Sequence, residues 1–314
     1  MSSPKHQKIF WLSLLGLSSI LYMVVSLDKF RPVIVPIYPP PSAEHTELCD
    51  VNNNHNNNNS NTIYFITPTY PRREQVAELT RLSQTLILAG NVHWIIAEDA
   101  YRCSTMVSSI LARSGLPYTH LVSPMPPMYR KAKLEDNPRG VSSRRAGLAW
   151  VMDNVEEGVI YFGDDDNTYD LRLFSELRLT KTLSLFPVGL VTKTGLSSPI
   201  VRDGKIVGFY DGWISNRKFP VDMAGFAVNL ATLQQASSRR KGRMAMPFTP
   251  GYEEDGFLRQ LDVQPADAQP LANNCTIVMV WHTKTHTSKG PADTNLTRTK
   301  KFKNSNLATL LASL

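Results

Sequence analysis

The sequence predicts an α/β fold: a central, mostly parallel sheet flanked by helices, preceded by a single membrane-spanning helix. Three observations carry this. From residue 62 apolar strand-like runs alternate with helical stripes, the loops after successive strands hold acids and prolines, and residues 9–27 form one uncharged run. Strand–helix alternation favours a parallel, doubly wound sheet, and ligands of such sheets bind beyond the carboxyl ends of the strands.

Taken in order, residues 1–8 are a short tail and 9–27, "IFWLSLLGLSSILYMVVSL", are long enough as a helix to cross roughly 28 Å of hydrocarbon. A cleaved signal peptide would have a shorter apolar core and a small-x-small cleavage site. Lys5 and Lys8 precede the run while Lys29 and Arg31 follow it, so charge alone gives no orientation; the short tail and large body favour a type II anchor. Residues 28–61, "RPVIVPIYPPPS" and then "NNNHNNNNSN" within them, read as an extended polar stem with too little apolar surface to fold. The body spans 62–314, with a donor half over about 62–186 and an acceptor half over about 187–284. Within it 62–67 is a strand, 72–89 a helix with Val76, Leu79, Leu82 and Leu86 on one stripe, and 92–99 a strand ending in two acids. A helix over 104–114, a strand over 119–123, a helix over 140–154 and a buried strand over 158–163 follow. Beyond 186 the strands become mixed, with a helix over 254–262 and a strand over 276–281.

The chain has 314 residues, 42% hydrophobic and 19% charged, with a net charge of +7, which is globular composition. The basic runs 237–243 and 298–303 hold a single aromatic between them, Phe302, and are not interleaved in the manner of a nucleic-acid stacking platform, which argues against nucleic acid as partner. Three cysteines, Cys49, Cys103 and Cys275, give neither a disulfide framework nor a zinc spacing. Cys49, in the stem, is the candidate for an interchain bridge in a homodimer.

The chemistry concentrates in "YFGDDDNTYD", 161–170. Three adjacent carboxylates repel one another, and a hard divalent cation relieves that repulsion. Asp164 and Asp166 fall on one side of an extended stretch and Asp165 on the other. Upstream, Arg139 and Arg144 bracket a helix start, where anions are favoured. Tyr70 in "TPTY" can stack on a base, and Asp99 can accept a hydrogen bond from a uracil N–H. Together these describe a nucleoside-diphosphate pocket.

The stretches "TIYFITPTYPR", "RLSQTL", "HWIIAEDA", "YFGDDDNTYD", "FPVDMAGFAVNL", "NNCT" and "VWHTKT" resemble, in order, the animal β-1,3-glucuronyltransferases. The resemblance runs from about residue 62 to 284. It implies a GT-A fold, UDP-glucuronate as donor, Mn²⁺ as cofactor, a galactose-terminated glycan as acceptor and a Golgi type II membrane layout. Carried over residue by residue, Pro68, Thr69, Tyr70 and Asp99 surround the uridine. Arg139 and Arg144 meet the donor's anionic groups, and Asp165 holds ribose or sugar with Asp164 as partner acid. Asp166 ligates the metal, and His282 reaches the diphosphate or sugar. Arg217 and Asp222 match donor-sugar and acceptor contacts, and Glu254 the catalytic base. Two positions depart from the family pattern: Ser197 replaces a glutamate, and Lys284 an arginine whose bidentate fork lysine lacks. They leave the acceptor open, and with it two rival readings: a weakly active glycan-binding paralogue, or a transferase of another UDP-sugar.

Glu254 has a physical argument of its own. Residues 254, 257, 258 and 261 share one helix side and the last three are apolar, so Glu254 leads the buried face while Glu253 and Asp255 turn toward solvent or the flanks. Three sequons, at Asn58, Asn274 and Asn295, follow if the body is lumenal, with Asn274 expected to be partly buried before its strand.

Overall fold

A computed structural model of the chain describes residues 45–53, 62–130, 137–191 and 194–285, with Asn306. All lie in one unit, Pro41–Leu314. The expected anchor, Asn58 and Asn295 fall outside the described residues, and among those described no helix is long and apolar enough to cross a membrane.

Four strands make the parallel centre: β2 (Ile63–Thr69), β3 (Val92–Glu98), β4 (Tyr118–Val122) and β5 (Val159–Phe162). They are ordered β4-β3-β2-β5 and pair in parallel throughout. Alternate side chains enter different cores, as the two-residue period requires. Ile63 and Phe65 join Trp94 and Ile96 in one cluster, while Tyr64 and Ile66 join Ile95 and Ala97 in the other. Helices α1 (Gln75–Ala89) and α2 (Thr105–Ser114) cover the first face; α4 (Val141–Asn154), which follows the short α3 (Pro127–Arg130), covers the second.

The sheet then turns antiparallel: β11 (Phe226–Asn229) sits between β5 and β7 (Leu183–Leu185), and β12 (Gln269–Pro270) closes the edge. A second sheet runs β10 (Lys205–Tyr210), β9 (Leu196–Arg202), β8 (Val188–Gly189), β13 (Val280–Trp281), β6 (Thr168–Tyr169). The strand expected over 276–281 is thus only its last two residues. Before it, Ala272, Asn273, Asn274 and Cys275 make a left-handed turn, with φ between 53° and 61°. Residues of this kind avoid that region unless surrounding structure holds them there. Here Glu176 accepts from Ala272 N at 2.9 Å, and the Cys275 thiol meets Leu185 O at 3.6 Å.

The stem expectation fails at one place. Residues Glu47–Asn52 form β1, antiparallel to β4 on the outer edge of the large sheet, and Tyr118 OH donates to Asp50 at 2.5 Å. Cys49 is bonded to Cys103 of the same chain, so the expected interchain bridge through Cys49 is replaced by an internal one. Composition misled here because an edge strand needs only backbone partners and a cross-link, not apolar side chains.

A chain closed across 54 residues loses unfolded-state entropy worth about 4 kcal/mol in the chain-entropy model. Cys49→Ala is expected to lower the denaturant midpoint correspondingly, and wild-type protein should carry no Cys49-linked dimer on a non-reducing gel.

Candidate active site

The carboxyl ends of β2, β3 and β5 open on one edge of the sheet, and the loops "TYPRR", "DAYRC" and "GDDDN" lie side by side there. Gly163 ends β5 against the Phe65 ring, where a Cβ would collide with ring carbons; the turn into the aspartates needs glycine. Each aspartate of the triplet then meets a different neighbour. Asp164 pairs with Arg144 Nη2 from the first turn of α4. Asp165 is buried and accepts from Thr69 Oγ1 at 2.6 Å and from Arg72 Nη2 at 2.7 Å. Asp166 has no hydrogen-bond donor on its carboxylate among the described residues; only its carbonyl is held, by Arg81 Nη2 at 3.0 Å and Thr283 Oγ1 at 2.5 Å. Burial, and then Asp164 and Asp165, push its pKa up to about 6. Burial works against the Arg144 charge, yet Asp164 beside it, with Glu254 and Glu253 farther off, holds its pKa above the ordinary arginine value.

The second wall comes from the later half of the chain. Asp222 caps a short 3₁₀ turn by accepting from Ala224 N at 3.0 Å. His282 Nδ1 lies 3.5 Å from Asp222 Oδ2, at ion-pair distance but not hydrogen-bonded. Asp222 raises the His282 pKa against the effect of burial, and Asp164 and Asp166 add to it. Helix α7 (Glu253–Leu258) supplies three consecutive acids. Glu254 has its pKa raised to about 8 by burial first, then by Glu253 and Asp222, while Arg144 pulls it down. Burial also raises Glu253, against Arg144 and Arg217.

Two expectations for this helix fail: Glu254 does not lead its buried face, being half-buried like Glu253, and Asp255 does not turn outward. Asp255 is 2% exposed, accepts from Phe219 N at 2.8 Å and pairs with Arg259 at 2.7 Å. Residues 255 and 258 are also one helical step of three apart, so Asp255 shares the buried side with Leu258. The helix expected to 262 becomes 3₁₀ from Arg259 to Leu261.

Other expected site residues vary in placement. Asp99 is committed to Met125 N at 2.7 Å and to Arg130 Nη2, whose guanidinium also lies over Tyr101. Tyr70 is exposed with Arg72 4.7 Å above its ring, and Pro68 is partly buried beside it. Arg139 is exposed; its carbonyl accepts from Arg144 Nη1 at 3.1 Å. Arg217 is tied to Asp211 at 2.8 Å and to the Trp213 carbonyl, with Trp213 packed over Gly251 at the entry to α7. Ser197 is buried in β9 opposite Val188, and Lys284 is exposed. Asn274 is exposed, not partly buried, because the left-handed turn swings it outward. Sequence reasoning missed Arg72, Gln75, Glu78 and Arg81. Arg72 precedes α1, and the spacing of three in Gln75, Glu78 and Arg81 marks one side of its first turns, but a polar face at a helix start reads as solvent-exposed.

Among the described residues no three histidine, cysteine or acid side chains converge as a closed metal cage. What the triplet provides is one uncommitted carboxylate under like-charge stress. That suits a cation whose remaining positions go to phosphate oxygens and water.

A family model described as glycosyltransferase family 43 matches residues 82–286. The chain belongs to glycosyltransferase family 43. Over 228 residues it is 52% identical to galactosylgalactosylxylosylprotein 3-beta-glucuronosyltransferase S of Drosophila melanogaster, covering 72% of this chain and 54% of that one. It is 43% identical over 253 residues to the Homo sapiens protein of the same name numbered 3, covering 76% and 74%. The chain spans about half the length of the two Drosophila melanogaster relatives, S and P. A crystal structure of S. aureus TarS 1-349 aligns at 12% identity with a TM-score of 0.44, over 71% of this chain and 60% of that chain. In this family 43 chain Glu254, the aspartate triplet and His282 lie within electrostatic reach of one another, linked through Arg144 and Asp222.

An acid whose pKa is raised on folding, from about 4.3 to about 8, costs no stability below the lower value and progressively more as pH climbs through the upper one. Glu254→Gln should therefore melt higher than wild type at pH 9 and level with it at pH 4, measured by thermal scans across pH.

Proposed function

We propose that this chain is an inverting glycosyltransferase of GT-A type that moves glucuronic acid from UDP-glucuronate, in β1-3 linkage, to a galactose-terminated glycan. The observation that carries the reading is the grouping, around Arg144 and Asp222, of a half-buried carboxyl, Glu254, whose pKa is raised to about 8, with an acid triplet whose Asp166 carboxylate accepts from no donor among the described residues. Inversion takes a single displacement. The acceptor hydroxyl oxygen attacks the anomeric carbon, the bond from that carbon to the diphosphate oxygen breaks, and Glu254 takes the hydroxyl proton. Arg144, held by Asp164, and His282, held near Asp222, are placed to receive negative charge on the leaving group. Asp166 would hold Mn²⁺, which when bound supplies positive charge to the same diphosphate. The family names of the relatives support the donor and linkage; a Golgi type II anchor over 9–27 and a homodimer belong to the same reading.

A second reading, transfer of another UDP-sugar, is favoured by one observation. Arg217 spends its Nη2 group on Asp211 and the Trp213 carbonyl. Either bidentate edge of a guanidinium uses that nitrogen, so a sugar carboxylate would have to displace Asp211 or the Trp213 carbonyl to gain a fork. A panel of UDP-sugars assayed with Mn²⁺ and with excess chelator separates the two.

Turnover should require Mn²⁺, and Asp166→Ala should abolish it while the protein stays folded; full activity in chelator would remove the metal from the account. Glu254→Gln should lower kcat by at least about 10²-fold with UDP affinity little changed. In wild type, kcat/KM should rise with pH to a plateau above about 8, where Glu254 is ionised. Glu253→Gln should move that rise to lower pH, because the Glu253 charge is the second cause of the shift. If the body is lumenal, the exposed Asn274 is open to glycan, read as a glycosidase-sensitive mass change lost in Asn274→Gln.

A further inference from the structure

The first half of α1 turns a polar face inward. Gln75 and Glu78 are buried on the same side as Leu79, Leu82 and Leu86, and Glu78 is only 2% exposed. A carboxylate there needs donors, since burying it bare costs several kcal/mol. Glu78 has two, one on each oxygen: Oε2 accepts from Arg81 Nη2 and Oε1 from Thr285 Oγ1. Both donors lead back to the aspartate triplet. Arg81 Nη2 also donates to Asp166 O, and Thr283, two residues before Thr285, donates to that same carbonyl from its hydroxyl. Thr283 Oγ1 lies 3.1 Å from Thr168 Oγ1 besides.

Residues 282–285 lie outside any helix or strand, beginning where β13 ends. Among the described residues, backbone partners hold their first two positions, where His282 N donates to Gly189 O at 2.9 Å and Thr283 N to Trp281 O at 3.0 Å. Past that point the strap is fastened by side chains. The two threonines bind down, one to the triplet and one to Glu78, and Lys284 between them is exposed.

We infer that Glu78 is a positioning residue: with Arg81 and Thr285 it clamps the strap 282–285 onto the aspartate turn, and so fixes His282 relative to Asp166. The clamp works through distance and direction, not through contact with substrate. It joins a helix near the start of the body to a segment more than two hundred positions later. The consequence for nucleotide binding rests on the transferase reading; the clamp itself does not.

The test uses the full chain and three substitutions of nearly constant shape. Glu78→Gln keeps the size and loses the charge, Thr285→Val loses the hydroxyl, and Thr285→Ser keeps it. Hydrogen exchange followed over residues 280–285 should speed up by about tenfold in Glu78→Gln and Thr285→Val, the order of one charged side-chain hydrogen bond. Thr285→Ser should match wild type. Calorimetry with UDP and Mn²⁺ should show affinity falling about five- to tenfold in the first two variants and not in the third. Combining Glu78→Gln with Thr285→Val should add little, because both open the same link. Wild-type exchange rates in both variants overturn the inference, and so does a loosened strap with unchanged nucleotide affinity. Wild-type protein that fails to bind UDP overturns the nucleotide reading instead, and the exchange measurement still decides the clamp.

Discussion

Three carboxylates at the end of one buried strand set the terms for everything around them. Left alone, each raises the free energy of the others, and the strand end is too enclosed for water to screen them. The fold answers by recruiting a different partner for each from distant parts of the chain. Arg144 comes from the start of α4, and Thr69 and Arg72 from the loop that ends β2. This requires β2 and β5 to be adjacent and parallel, so that their ends open on the same edge, and α4 to arrive with its first turn there. The third carboxylate, on Asp166, accepts from no donor among the described residues; only its carbonyl is held.

The same division of labour recurs at the opposite wall. Of three consecutive acids, Asp255 is spent on structure, holding Phe219 N and Arg259 so that the 211–219 loop docks on α7. Glu254 beside Asp255 is half-buried, and its pKa is raised by desolvation and by Glu253. One acid is tied to the fold while its neighbour is not. A carboxyl held above its ordinary pKa costs stability wherever the unfolded chain would ionise it.

The parallel centre was legible because strands covered on both faces announce themselves as apolar runs, and "YFITPT", "HWIIAE" and "VIYF" do so plainly. The helix carrying Leu79, Leu82 and Leu86 was equally clear, and the triplet's place after a strand pointed to the site. What stayed hidden was held by other physics. Nothing apolar marks β1, which exists through backbone pairing and a disulfide across 54 residues. The left-handed turn at 272–275 contains no glycine to announce it. Glu78 and Arg81 read as an ordinary solvated pair on a helix surface, whereas Glu78 is buried and is bound by Arg81 and by Thr285 from a distant segment. Asp255 was misplaced because the apolar stripe was counted from 254, whereas position 255 lies on the same side as 258.

Charge balance across the opening draws these pieces together. Arg72, Arg144, Arg217 and Arg130 each already face an aspartate: Asp165, Asp164, Asp211 and Asp99. The arginines therefore do not form a bare cationic pocket, even though the chain carries +7. Part of that excess lies elsewhere, in the basic runs 237–243 and 298–303. After the pairs are set aside, Asp166, Glu253 and Glu254 remain; burial raises the pKa of each, and neighbouring acids add to it at Asp166 and Glu254. A diphosphate entering such a site would meet repulsion unless a divalent ion came with it. For the proposed donor, metal and nucleotide binding are then two halves of one event, each weak without the other. The paired arginines supply geometry instead of net attraction, fixed in direction by the aspartates that neutralise them.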